Sequence, residues 1–199
     1  MPRVNADRDE QPILEFEAQV AWERWLDAEH ASSSGVWLKI ARKASGARTL
    51  TYAEALEEAL RYGWIDGQKA PHDERFWLQR FTPRGPRSKW SQINRRKAVE
   101  LIERGRMMPA GLVQVEAARR DGRWDAAYAS PRNATVPEDF QRALDENPAA
   151  NEFFAALGST HRYSFLYRIA DAKRPETRAR RIREYVAMLA EGRTIHRPA

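Results

Sequence analysis

The sequence predicts an α+β protein: a small antiparallel sheet packed with helices, followed by a helical C-terminal bundle. Three observations predict it. Short β-prone runs at residues 36–41, 63–73 and 75–81 alternate with segments of helical period. A Pro-Arg-Gly-Pro turn at residues 83–86 closes the last of these runs, and after Gly105 the chain is nearly all helical in pattern, apart from a short turn at residues 124–128. The 199 residues, 42% hydrophobic and 31% charged, suffice for one substantial core or for one domain with a helical extension.

Taken in order, residues 1–12 offer nothing apolar to anchor them and read as a flexible leader. Ile13, Leu14 and Phe16 form a short apolar run, a candidate strand. From Ala18 to His30 the residues Val20, Trp22, Trp25 and Leu26 recur at near-helical spacing until Ser32-Ser33-Ser34-Gly35 stops them. Residues 36–41 form a compact strand. Thr51-Tyr52-Ala53-Glu54 fits a capping box, so a helix begins there with the stripe Tyr52, Ala55, Leu56, Ala59 and Leu60. Gly63 stands where a left-handed residue would end that helix, and Trp64 could fold back on its last turn.

Residues 63–73 and 75–81 read as a hairpin. Ser88 or Ser91 would cap a helix with the stripe Trp90, Ile93, Ala98, Leu101 and Ile102, which places Asn94 beside Trp90. Beyond Gly105, Pro109, Pro137, Pro148 and Pro175 each open a helix, and Ser159 is placed to cap another. The last helix shows Ala179, Ile182, Val186 and Leu189 on one side and arginines around the other. The loop at residues 129–135 divides an α+β core domain, 13–130, from a helical C-terminal subdomain, 131–199, expected to pack on it.

With no cysteine, the chain cannot form disulfides or thiolate metal sites, and no cysteine nucleophile exists. The polar N-terminus lacks the apolar run of a signal peptide, and a cytoplasmic location is the expectation. No membrane span is expected. Net charge is +6, distributed as −5, +1, +7, −3 and +6 over residues 1–34, 35–68, 69–106, 107–158 and 159–199. Alternating signs fit packed segments that neutralise one another, a small anionic ligand, or nucleic acid.

The motifs Tyr62-Gly63-Trp64-Ile65-Asp66-Gly67, Arg80-Phe81-Thr82-Pro83-Arg84 and Ser88-Lys89-Trp90-Ser91 with Asn94 carry a resemblance. Gly105-Arg106-Met107, Gly122-Arg123-Trp124 and the run from Ala172 to Ile182 extend it over residues 14–193. The chain resembles the bacterial YdeI/OmpD-associated family, labelled bacteriocin-protection proteins. That resemblance implies a link to envelope stress and antimicrobial-peptide resistance, and it brings no assigned reaction and no cofactor.

Two constellations are candidates. In the first, Trp64, Asp66, Arg80, Arg84, Trp90, Ser91 and Asn94 converge: guanidinium groups and aromatic walls suit a carboxylate or phosphate on a flat ligand. The competing account makes the Trp residues core, Asp66 an ion-pair partner, and Ser91 and Asn94 caps. One carboxylate and the loose His72 give no catalytic set, and the four histidines lack metal-ligand spacing. In the second, Lys173, Arg174, Arg178 and Arg181 on the last helix would neutralise phosphates, against the account of a self-paired helix face. A protein-interaction module without a ligand stands as a third reading.

Overall fold

The computed structural model describes residues 11–196, so the expectation of a flexible leader falls, for residues 1–10, outside the described residues. The chain forms two compact units. One comprises the residues through Trp90 together with Asn94–Ala126; the other comprises Ser91–Ile93 and the residues from Ala127 onward. Among the described residues there are four strands and eight helices, an α+β architecture.

The first unit is built from β1 (Ile13–Leu14), α1 (Gln19–Glu29), β2 (Val36–Ala41), α2 (Tyr52–Arg61), β3 (Trp64–Pro71), β4 (Phe76–Pro83), most of α3 (Gln92–Glu103) and α4 (Pro109–Arg120). The sheet order is β1-β2-β4-β3. The sheet is mixed, where the sequence led us to expect an antiparallel one: β1 pairs parallel with β2, Ile13 opposite Trp37 and Leu14 opposite Leu38. The reason is the α1 crossover between them, since a helical connection returns the chain to run in the same direction. A two-residue strand shows no period from which its direction could be read.

The hairpin β3–β4 contains an irregularity that matters for the rest. Asp66 lies opposite Phe81 and Lys69 opposite Gln79, so three steps along β3 match two along β4. One extra residue is accommodated as a β-bulge. Because residues directly opposed across a ladder share a face, Asp66 and Lys69 both lie on the face of Trp77, Gln79 and Phe81, although odd spacing in a regular strand would put them on opposite faces. The fully buried Gln79 holds the bulge: its Nε2 donates to the carbonyls of Gly67 at 3.0 Å, Gln68 at 3.3 Å and Arg80 at 3.1 Å.

That face packs under α1 and α2. Trp22 is fully buried, stacked on Trp25 at 5.1 Å and set edge-on to Trp64 at 6.3 Å, and its indole N–H donates to the Ala55 carbonyl at 3.1 Å. Trp64 donates to the His30 carbonyl at 3.1 Å and lies edge-on to Trp25 at 5.8 Å, so it packs against α1. The capping box of α2 is present: the Glu54 amide donates to Thr51 Oγ1 at 3.3 Å, and the Thr51 amide to Glu54 Oε2 at 2.7 Å. Gly63 has φ +74°, which terminates α2 as a left-handed residue. In α3 the buried positions are Asn94, Ala98 and Leu101, while Ile93, expected on the core stripe, is 38% exposed. Ser88 closes the proline-rich turn instead of capping a helix, its Oγ accepting from the Gly85 amide at 3.0 Å.

The second unit contains α5 (Glu138–Asp145), α6 (Pro148–Ala156), α7 (Ser159–Asp171) and α8 (Pro175–Ala190). Its core joins Phe140, Leu144, Phe154, Phe165, Ile169, Ile182, Tyr185 and Leu189. Edge-on ring contacts run from Phe140 to Phe154 at 5.4 Å and from Phe165 to Tyr185 at 5.3 Å. Ser159 is the first residue of α7 and Gly158 occupies the cap position without a side-chain bond, so the serine cap is not made. On α8 the inward stripe is Ile182, Tyr185 and Leu189; Ala179, expected there, is exposed.

The end of α2 and the start of α4 approach closely at Gly111. A methyl group at Gly111 would sit 2.2 Å from the Arg61 carbonyl oxygen and 2.5 Å from Met107 Sδ. Alanine would gain about 1 kcal/mol of helix propensity at this site, but the backbone contact forces the helices apart. Gly111→Ala should therefore lower stability by about 1–3 kcal/mol net, read from urea unfolding; an unchanged or raised midpoint would contradict this packing.

Candidate functional site

Tyr52 is the first residue of α2, and its position is fixed by the cap at Thr51. Its hydroxyl donates to Asp66 Oδ2 at 2.8 Å. Asn94 on α3, 7% exposed, approaches Asp66 Oδ1 with its amide nitrogen at 3.5 Å. The bulge in β3 is what presents Asp66 to Tyr52 and, three residues on, sends Lys69 to the same side. Lys69 Nζ stands 5.2 Å from the centre of the Tyr52 ring and 4.9 Å from that of Trp77. The two rings are 6.2 Å apart and inclined at 46°.

Beside these rings runs an open groove of about 560 Å³, walled by Tyr52, Trp77, Thr49, Arg42 and Lys43 and floored by Ile40 and Leu50. Arg42 is oriented by donation from Nε to the Asp73 carbonyl at 3.3 Å. Among the described residues, Arg42, Lys43 and Lys69 have no carboxylate partner. An open concavity combining aromatic walls, an aliphatic floor and uncompensated cations is chemically suited to an anion. The sequence reading named neither Tyr52, Trp77 and Lys69 nor Arg42 and Lys43 as site residues. The signal that could have found the first three was the capping box, which fixes Tyr52, together with the bulge-prone Gly67 between Asp66 and Lys69.

The residues that the sequence did nominate are distributed differently. Asp66 and Asn94 meet, as described. Arg84 and Trp90 also meet: the Arg84 guanidinium lies 3.6 Å from the centre of the Trp90 ring, and Trp90 in turn contacts Trp124 edge-on at 4.9 Å. Arg84 is 5% exposed and Trp90 2% exposed, and Arg84 Nη1 donates to the Lys89 carbonyl at 3.3 Å. This is a packed stack that fastens the loop between β4 and α3. Trp64 is spent on the aromatic core. Arg80 alternates to the opposite face of β4 from Phe81, and its Nε donates to Gln11 at 2.9 Å. Ser91 belongs to the second unit, where it pairs with Tyr128.

On the basic helix, Arg178 is committed to structure. It donates from Nε to Asp139 Oδ2 at 2.6 Å, from Nη2 to Asp139 Oδ1 at 2.8 Å and from Nη1 to the Ile169 carbonyl at 2.9 Å. Arg181 donates to the Arg168 carbonyl. Lys173 and Arg174 are exposed ahead of α8. Two of the four cations proposed to face phosphates are thus tied into the helix packing of their own unit.

A further charged group, unforeseen in the sequence, is buried between α1 and α2. Glu58 is fully buried; it accepts from Gln19 at 2.6 Å, from Arg106 at 3.2 Å and from Arg61. Arg61 also reaches Glu23 at 2.6 Å and the Arg106 carbonyl at 2.8 Å. Every member has its counter-charge or carbonyl, which is the condition under which buried ions persist. Among the described residues no cluster of three metal-ligating side chains occurs, and no helix is long and apolar enough to cross a membrane.

Two family models match the chain. Residues 14–114 match a domain of unknown function, DUF8412, and residues 133–192 match the family described as bacteriocin-protection, YdeI or OmpD-associated. The motifs at residues 62–94 that carried the resemblance in the sequence therefore fall within the first matched segment. No curated protein and no solved structure matches the chain.

Two expectations test these placements. Arg84→Ala should cost about 2 kcal/mol or more in a denaturant titration, because it strips a desolvated guanidinium from the Trp90 face; full stability would mean that the stack is idle. The Arg178 guanidinium holds Asp139 below the usual carboxylate range, with burial opposing it. A depressed value means that the pair's stabilisation is complete above the unfolded aspartate value of about 3.9 and is lost as pH falls through the lower folded value. Asp139→Asn should accordingly flatten the acid limb of the stability profile, and an unaltered limb would remove the pair from the account.

Proposed function

From a chain that belongs to the DUF8412 domain family and carries the YdeI or OmpD-associated region at residues 133–192, we propose that the first unit binds a small anionic ligand in the groove beside Tyr52. The observation that carries this reading is that Arg42 and Lys43 line a groove together with Tyr52 and Trp77 while Lys69 stands over those two rings, all three cations without carboxylate partners among the described residues. Cations left uncompensated at a concave surface attract and orient an anion, and the aliphatic floor supplies contact area.

The residues nominated by the sequence take supporting parts in this proposal. Asp66 is a positioning residue: its carboxylate fixes the Tyr52 hydroxyl, with Asn94 steadying it from α3. Arg84, Trp90 and Trp64 build the frame. The proposal is one of binding and assigns no reaction. The description of the second unit's family would give that binding its place in protection against bacteriocins and, more widely, in envelope stress.

The double substitution Arg42→Ala and Lys43→Ala should weaken binding of citrate or AMP about tenfold or more, since charge-assisted contacts of this kind are each worth roughly 1.5–3 kcal/mol. Raised salt should weaken wild-type binding in the same direction. Isothermal titration of wild type and variant at low and high salt reads both effects, and an affinity indifferent to the substitutions would sink the proposal.

A further inference from the structure

Resting on that reading of the groove, we infer that its ligand is a planar, ring-bearing anion that stacks on Trp77 while Lys69 serves as its counter-ion. Tyr52 and Trp77 are both half-buried, and at 6.2 Å and 46° their rings leave no slot for a third ring between them. A flat ligand therefore takes a ring face, and Trp77 offers the larger surface.

Lys69 is an exposed residue, yet its ammonium is placed over both rings, at 5.2 and 4.9 Å from their centres. A flexible side chain that reaches such a position marks the aromatic surface as open to a visitor. It also puts a cation within one side chain's swing of anything that arrives there. A ring that settles on Trp77 takes the place of the lysine stem, and the ammonium moves to the acidic substituent, exchanging a cation–π contact for an ion pair.

Ile40, Ala41 and Leu50 are apolar and suit the body of a ring, while Arg42 and Lys43 add two cations to the lining. A compact anion such as phosphate would satisfy the cations and waste the aromatic and aliphatic surface. A neutral ring would do the reverse. Only a ligand with both features uses both, and the volume of about 560 Å³ accommodates one of nucleotide size or smaller.

The test uses the full chain and four probes: AMP and 2-naphthoate as ring anions, adenosine as a neutral ring, and inorganic phosphate as an anion without a ring. Affinities are measured by isothermal titration, and the Trp77 indole signal is followed by proton–nitrogen correlation spectra. We expect at least one ring anion to shift that signal and to bind about tenfold or more tighter than adenosine and phosphate, in line with the worth of one stacked ring. Trp77→Leu should erase the ring advantage while leaving phosphate unchanged. Lys69→Met, at an exposed position that leaves folding undisturbed, should narrow the gap between AMP and adenosine.

Phosphate binding as tightly as both ring anions would overturn this inference and leave the anion-binding proposal standing. Adenosine equal to AMP, with Lys69→Met neutral, would overturn the charge assignment. Shifts that leave the Trp77 indole untouched would move the ligand elsewhere and overturn it too. Failure of every probe would bring down both the inference and the groove reading on which it rests.

Discussion

The side-chain amide of Gln79 is the contact on which the rest of the first unit's arrangement depends. A polar group with no exposure must find partners, and Gln79 Nε2 finds two carbonyls of the bulged stretch of β3, Gly67 and Gln68, and the Arg80 carbonyl of β4. The bulge and the glutamine require each other: without the extra residue there are no such carbonyls to satisfy, and without the amide they are left unpaired. The consequence is directional. Asp66 and Lys69 reach one face of the sheet, the face over which α2 begins. The Asp66–Tyr52 contact and the position of Lys69 over the Tyr52 and Trp77 rings follow from that placement.

The helix α2 translates the same logic into position. Its cap fixes Tyr52 over the sheet, its buried Glu58 and Arg61 lock it to α1 and to the segment before α4, and it ends with the Arg61 carbonyl against Gly111 and with Gly63 against Ala110. Ion pairs on a surface add little, but Glu58 and Arg61 are almost completely buried and have partners on every side. Removing either would leave an uncompensated charge, so the network fixes one orientation of α2 and with it the direction of the Tyr52 hydroxyl.

How much of this could be read from the chain depends on how local each cause is. The capping box at Thr51, the left-handed Gly63, the hairpin, and the helices opened by Pro109, Pro148 and Pro175 were all legible, because each is specified within a few residues. The direction of β1 was not, since two residues carry no partner information. On α3 the apolar Ile93 lies outward and the polar Asn94 inward, because Asn94 is required by a carboxylate on a strand 28 residues earlier. Glu58 and Arg61 were not singled out in the sequence, since the groups that satisfy them, Gln19, Glu23 and Arg106, are distant along the chain. The site was legible in its neighbourhood and not in its membership for the same reason.

Arginine gives the clearest case of that difference. In the sequence, Arg80, Arg84 and Arg178 invite a functional reading because they stand in motifs or basic runs. In the structure each has its nitrogens directed to a glutamine, an indole face or an aspartate. A guanidinium carries five donors on a planar frame, which lets it serve as an adhesive between elements whenever acceptors surround it. The cations at the groove are of another kind. Lys43 and Lys69 are compact charges on flexible stems, and Arg42 has only a backbone carbonyl at Nε. A cation whose partners already hold it has little left to offer a ligand, whereas one without a counter-charge is electrostatically unfinished. The distinction lies in what surrounds each charge, and it directs the functional reading from the motif arginines to the groove.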